Sequence, residues 1–332
     1  MTPGTEPALG APGAVCDLAR EGTDGATALL DALACRGYAA VVGHGVDDAL
    51  IGEMRAESFA FFDLPRAAKA EVEFDGVGLW RGWQPVYEGS ALYGGDAQPT
   101  ELLERLEENL CPSAGGPDNP GNRWPRQPLG LRPVWERYHE AMFALTSRVL
   151  TRLASALDLD RDADPPILPA WCEGQFSNLV ANHYPAQLEP PEPGRVRVAP
   201  HTDHGGVTVL HSDDAPGGLE VAFDARGWQP VTVPPGALLV QVGDLLERWS
   251  GGRLRATPHR VVNPPAGAGE AARRLSLVYF HHPRLDLLVE TSPVAGAPDG
   301  VRVYEPVVAG EWVAGRQERY RRDGGGSLDD ET

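Results

Sequence analysis

The hydrophobic pattern changes period about halfway along the chain. In the first half, apolar residues recur at helical spacing. Ala26–Arg36 reads as a helix that Gly37 ends as a C-cap. Tyr38–Val42 follows as a short, buried strand. Asp47–Phe62 predicts a second helix, with Asp47 as N-cap, Phe59, Phe61 and Phe62 as packing residues, and Leu64-Pro65 as its stop. Pro133–Leu157 is the clearest helix, with Val134, Tyr138, Met142, Leu145, Val149, Leu153 and Leu157 in one stripe. His139 lies on it as a packing or surface residue. Between these helices, 75–100 is rich in glycine and aromatics, Glu101–Leu110 carries apolar residues at 102, 103, 106 and 110, and 112–130 reads as a long loop. From Phe176 the period falls to two. Phe176–Tyr184, 196–200, Gly218–Phe223, Trp228–Val233, 237–243, 257–263 and 274–280 read as strands, with a hairpin turn at Asp224–Gly227. Such a run predicts a mainly β core with flanking helices. Val303–Tyr320 is expected to close the fold as a helix.

Composition narrows the function classes. The chain has 332 residues, 42% of them apolar, enough for one large domain or two small ones. No apolar run reaches the ~18 residues of a membrane span, and Met1–Pro7 lacks the basic and apolar regions of a secretory signal. Cys16, Cys35, Cys111 and Cys172 are scattered, which fits a reducing cytoplasm and neither disulfides nor a thiolate metal site. A formal charge of −18 argues against nucleic acid and anionic membranes as partners.

The candidate chemistry sits in Ala199-Pro-His-Thr-Asp-His-Gly-Gly-Val-Thr-Val-Leu210. His201 and Asp203 are two apart, and on an extended segment they would share a face. Alone, such a pair is commonly a surface or hydrogen-bonded pair. His259, 58 residues on, offers a third ligand, and two histidines with one carboxylate form the facial triad of non-haem Fe(II) sites. Zinc can take the same set, but no general base accompanies it. Arg274 and Ser276 share one face of the next strand, where a guanidinium fork suits a carboxylate. Arg273 points the other way and reads as a surface ion-pair residue. His183, His204, His211, His281 and His282 rank below His259 as ligands, with His204 expected to face away from the site. His44, between two glycines, reads as a turn residue.

His-x-Asp, the distal His259 and Arg-x-Ser, together with Asn182-His-Tyr-Pro185, Gly236-Ala-Leu-Leu-Val-Gln-Val-Gly-Asp244 and Arg248-Trp-Ser-Gly-Gly252, resemble the isopenicillin N synthase-like family of Fe(II)/2-oxoglutarate-dependent oxygenases over roughly residues 13–320. The resemblance implies a double-stranded β-helix, or jelly roll, core. Composition sets off a flexible lead 1–14, rich in Pro, Gly and Ala, and a polar tail 321–332; between them the resemblance implies a mainly helical region 15–165 packed on the core and the oxygenase domain 166–320. It implies that His201, Asp203 and His259 bind Fe(II). Arg274, Ser276 and Tyr184 would hold the far carboxylate of 2-oxoglutarate, and Asn182 would sit near its chelating end. Dioxygen would complete the reaction, which releases succinate and CO2 and hydroxylates, desaturates or cyclises a small-molecule substrate. The family's 75–100 loop approaches the active-site mouth, so Arg81, Trp83 and Tyr87 become candidate substrate residues or, equally, packing aromatics. Natural-product biosynthesis, a monomer and a cytoplasmic location complete the expectation. An oxidase of the same fold that works without 2-oxoglutarate, or a non-catalytic metal-bound jelly roll, would carry some of the same residues.

Overall fold

Three helices form where the helical period predicts them. The computed structural model describes residues 15–20, 22–76, 80–86, 101–110, 121–157, 171–191, 195–223, 227–292 and 302–323; the N-terminal lead lies outside them, as does nearly all of the tail. Helix α1 (Thr23–Arg36) stops where Gly37 takes a φ of 73° and its N–H bonds to Leu33 O at 2.9 Å. Helix α2 (Asp48–Phe62) is capped by the Asp47 carboxylate, which accepts from Ala49 N–H. A short α3 (Arg66–Lys69) follows Pro65. Helix α4 (Leu131–Leu157) buries the whole predicted stripe from Val134 to Leu157.

The strands are β1 (Val15–Asp17), β2 (Tyr38–Val42), β3 (Gly82–Gln84), β4 (Glu104–Glu108), β5 (Asn178–Tyr184), β6 (Val198–His201), β7 (Val207–Ser212), β8 (Leu219–Ala222), β9 (Trp228–Pro230), β10 (Leu238–Val242), β11 (His259–Val261) and β12 (Arg274–Phe280). A helical turn α5 (Asp244–Trp249) follows β10. After β12, the pair β13 (Leu288–Val289) and β14 (Val307–Val308) leads into helix α6 (Ala309–Asp323).

Two sheets face each other. The larger runs β1-β2-β10-β7-β12-β5-β4-β3 and the smaller β6-β11-β8-β9. Every pairing is antiparallel except β1 with β2. Alternation gives the larger sheet two different faces. Leu106, Leu179, Leu277, Val209 and Val240 turn outward into one core with α1, α2 and α4. Val180, Val278, Leu210 and Leu239 turn inward, against Val198, Leu219, Val221 and Val261 of the smaller sheet.

The N-terminal region does more than pack helices on the outside. β1 and β2 extend one edge of the larger sheet, and β3 and β4 the other. β4 is the strand that apolar spacing did not reveal, because three of its five residues are buried glutamates. Glu104 faces the helices and is well paired. It accepts from Lys69 Nζ at 2.7 Å and Trp83 Nε1 at 2.8 Å, and lies 2.9 Å from His183 Nδ1. Phe62 stacks on that imidazole. Among the described residues, no helix is long and apolar enough to cross a membrane.

Glu108 generates a prediction. Among the described residues its oxygens accept only the Arg123 N–H, and burial pushes its acid up to about 8. The folded state therefore keeps a proton that the unfolded chain loses near the ordinary glutamate range. Wild-type stability from this group is full at low pH and is lost as pH rises through about 8. Glu108→Gln does not titrate, so its stability relative to wild type should rise between pH 5 and pH 8. Urea unfolding at both pH values tests this, and a constant difference would count against it.

Candidate active site

His201 and His259 are cross-strand partners in the smaller sheet, where β6 and β11 pair. Their rings lie 4.2 Å apart. Each Nδ1 meets a backbone carbonyl, Ala199 O at 2.9 Å and Thr257 O at 3.0 Å. A proton on Nδ1 fixes the tautomer and turns each Nε2 lone pair inward. Asp203 Oδ1 lies 3.8 Å from His201 Nε2 and 3.6 Å from His259 Nε2, and the three donor atoms fall within 4.8 Å of one another. Burial and the neighbouring His259 lower the His201 imidazole to about 4, so it is neutral at pH 7, the form a metal requires.

The alternation of an extended strand is not what brings Asp203 to His201. β6 ends at His201, and residues 202–206 form a turn. Hydrogen bonds to the start of α5 pin that turn: Asp244 N–H to Asp203 O at 2.8 Å, Leu245 N–H to Gly205 O at 2.9 Å, and Gly243 N–H to Gly206 O at 2.8 Å. Arg316 of α6 adds a bond to Thr202 Oγ1 at 2.9 Å and an ion pair with Asp244 at 2.8 Å. The turn also overturns the expectation for His204, which lines the same cavity as the three donors. Without an extended backbone, i+1 no longer means the opposite face.

The cavity between the sheets has a volume of about 120 Å³. Asn182, Tyr184, Arg274 and Ser276 all line it. They form a block of cross-strand neighbours, because Arg274 pairs with Tyr184 and Ser276 with Asn182 on β12 and β5. Arg274 Nη1 donates to Ala215 O at 2.9 Å and Gly217 O at 2.7 Å, and Nη2 to Ser212 Oγ. Tyr184 OH and Ser276 Oγ are 3.4 Å apart. Arg197 lies under the Tyr184 ring, and burial together with Arg274 lowers its guanidinium to about 10. Arg273 is on the other face, bonded to Asp63 at 2.7 Å and to His183 Nε2.

The residues fit a divalent cation. Asp203 Oδ2 is buried and has no hydrogen-bond partner among the described residues. A lone buried carboxylate is costly, and a metal between it and two neutral imidazoles supplies the missing charge. The fit to a dicarboxylic ligand is similar, with a buried guanidinium and two hydroxyls on one wall and the Asn182 Oδ1, also unpartnered among the described residues, beside them.

Of the two readings left open for Arg81 and Trp83, their burial favours packing. Trp83 is buried away from the cavity, with its indole N–H on Glu104 and its ring beneath Lys69. Arg81 is equally buried, over the Phe176 ring and 4.0 Å from Glu107. Tyr87 lies outside the described residues. Both described residues pack the segment down, and Trp80 lines the cavity instead. Arg105, Glu107 and Asn178 also line it; the only signal for the first two was a period of two through Leu103, Arg105 and Glu107. His282 lines it too, while His183, His211 and His281 do not. His44 is a turn residue, with Nδ1 accepting from Val46 N–H and Nε2 3.1 Å from Gly236 O.

Residues 175–283 match the family model of the 2OG-Fe(II) oxygenase superfamily, and residues 15–127 that of the non-haem dioxygenase in morphine synthesis N-terminal region. A validamycin A dioxygenase of Streptomyces hygroscopicus subsp. limoneus is 32% identical over 269 residues, 77% of this chain and 71% of the relative. The chain belongs to the 2-oxoglutarate/Fe(II) oxygenase superfamily. A homoarginine-6-hydroxylase of Oryza sativa subsp. japonica is 30% identical over 291 residues, 84% of each chain. Among solved structures, a full-length Neurospora crassa protein in complex with alpha-KG and thymine superposes with a TM-score of 0.79, at 23% identity over 94% of this chain and 98% of that one, which shows the shared double-stranded β-helix. A rice dioxygenase for auxin oxidation gives a TM-score of 0.70 at 28% identity, covering 93% and 96%. This oxygenase is an oxidoreductase that uses Fe(II), 2-oxoglutarate and dioxygen.

The pinned turn can be tested without touching a candidate ligand. A Cβ on Gly243 would lie 2.4 Å from Gly205 O and 2.8 Å from Gly205 C, both backbone atoms that cannot swing aside. Gly243→Ala should cost about 1–3 kcal/mol of stability and weaken Fe(II) binding by displacing Asp203. Chemical unfolding and anaerobic metal titration measure the two effects. Wild-type iron affinity in this variant would mean that the turn does not position the carboxylate.

Proposed function

We propose that His201, Asp203 and His259 hold the Fe(II), and that Arg274, Ser276, Tyr184 and Asn182 seat 2-oxoglutarate in the same cavity. The observation that supports this most directly is the convergence of three donor atoms within 4.8 Å on the cavity that also contains Arg274. Bound Fe(II) with dioxygen supplies the oxidising power that converts 2-oxoglutarate to succinate and CO2 and oxidises a C–H bond of the substrate. The chain's own residues orient and shield. The Ala199 and Thr257 carbonyls keep both imidazoles aimed inward. Arg274 neutralises the far carboxylate, and its bonds to Ala215 O and Gly217 O hold the fork in place before the ligand arrives. Arg197 stiffens the wall from behind Tyr184.

The substrate in this reading is a small natural product. The names of the validamycin A dioxygenase and homoarginine-6-hydroxylase relatives support that class. Among the described residues, Cys16, Cys35 and Cys172 form no disulfide, which suits a reducing cytoplasm.

His201→Ala, Asp203→Ala and His259→Ala should each abolish Fe(II) binding in anaerobic titration. Arg274→Ala should raise the KM for 2-oxoglutarate by about a hundredfold, as expected when a buried charge pair loses one partner, with iron affinity little changed. Titrating the Fe(II)-loaded wild type with 2-oxoglutarate should bring up a weak visible charge-transfer band. Iron binding that survives all three ligand substitutions would sink the assignment.

A further inference from the structure

The wall of the cavity contributed by β4 carries a carboxyl that neither iron nor 2-oxoglutarate explains. The strand register places it. Arg105 pairs with Asn182, and Glu107 with Val180, on β5. Asn182 and Val180 pair in turn with Ser276 and Val278 on β12. Glu107 is therefore one row beyond Ser276 and two strands across, roughly 12 Å away on the sheet lattice. That is further than 2-oxoglutarate extends from its seat. The Glu107 side chain nevertheless faces the cavity.

Its surroundings orient it as an acceptor. Asn109 Nδ2 donates to Asn178 Oδ1 at 3.1 Å, which fixes the Asn178 amide and turns its Nδ2 onto Glu107 Oε1 at 2.7 Å. Glu107 Oε2 has no hydrogen bond among the described residues. The Arg81 guanidinium is 4.0 Å from Oε1, too far for a hydrogen bond. Burial pushes the Glu107 acid up to about 7 against the pull of Arg81 and Arg105. A carboxyl buried with a single hydrogen bond is unfavourable, and a donor arriving in the cavity would complete it. Arg105, on the same face of β4, pairs with Glu101 at 3.0 Å and packs over Trp80, so a cation stands beside the acid along this wall.

We infer that Glu107 is a specificity-determining residue whose carboxyl receives an N–H donor of the oxidised molecule, making the substrate a small, nitrogen-bearing compound. The inference rests on reading the cavity as the oxygenase site. It narrows the substrate class from small molecules in general to amines, guanidines, amides or imides. Arg105 suits an acceptor group on the same molecule, and the apolar Val180, Val278 and Phe280 suit its carbon frame.

The test is calorimetric binding to the anaerobic protein loaded with Fe(II) and 2-oxoglutarate. The probes are small amines, guanidines, lactams and cyclic imides, each paired with its fully N-methylated form, at up to millimolar concentration. At least one parent compound should bind. Its N-methylated partner should bind more weakly by about tenfold or more, the loss expected when a buried acceptor is left without its donor. Glu107→Gln, nearly isosteric, should weaken the parent compound similarly while the iron–2-oxoglutarate band stays as in wild type. The inference is overturned if parent and methylated probes bind alike, if Glu107→Gln binds as wild type does, or if no parent binds. The comparison of probes on wild type stands whether or not the variant folds. If wild-type protein gives no iron–2-oxoglutarate band, the oxygenase reading of the cavity has failed and this inference falls with it. An intact band without any dependence on Glu107 overturns the inference alone.

Discussion

The site depends on holding, in the protein interior, a carboxylate that has no Lys or Arg partner among the described residues. Asp203 lies beyond the end of β6, on a turn whose backbone is bonded at three points to residues 243–245. Gly205 and Gly243 make this possible, because a side chain on either would strike backbone within 2.4 Å. The contact sets the distances from Asp203 to His201 and His259, and with them the shape of the three-donor cluster. Arg316 then ties the C-terminal helix to the same turn. Helix, turn and smaller sheet thus act as one support.

The larger sheet answers two opposing demands. Its outer face must be apolar enough to bury three helices, and its inner face must present charge and hydroxyls to small molecules. Alternation satisfies both, with Leu275 and Leu277 outward on β12 and Arg274 and Ser276 inward. The same rule acts on β4, where Leu106 is outward and Arg105 and Glu107 are inward. The buried acids of β4 differ in depth of burial and in partners. Glu104 is fully paired and lowered, whereas Glu107 and Glu108 are sparsely paired and raised.

Much of this was legible in the residue order. Helices α1, α2 and α4 follow from apolar stripes, Asp47 and Gly37, because local spacing and capping act over a few residues. Strand β12 announces its two faces through Arg-Leu-Ser-Leu. His201, Asp203 and His259 could be picked out because few other functions need that set of residues. Arg81 and Trp83 stayed open to both readings because a polar aromatic segment looks the same whether it lines a cavity or plugs a core. His204 misled because alternation was applied where the strand had already ended.

Residue order settles which side chains are available and on which face of its own element each one falls, since period and capping are local properties of the backbone. Which faces meet is a matter of the folded chain. The pairing of His201 with His259, the return of Asp203 through its turn, and the placement of Glu107 one row beyond Asn182 and Ser276 all depend on register between strands far apart in the chain. Register is set by packing across the whole sheet, and no short window of residues contains it.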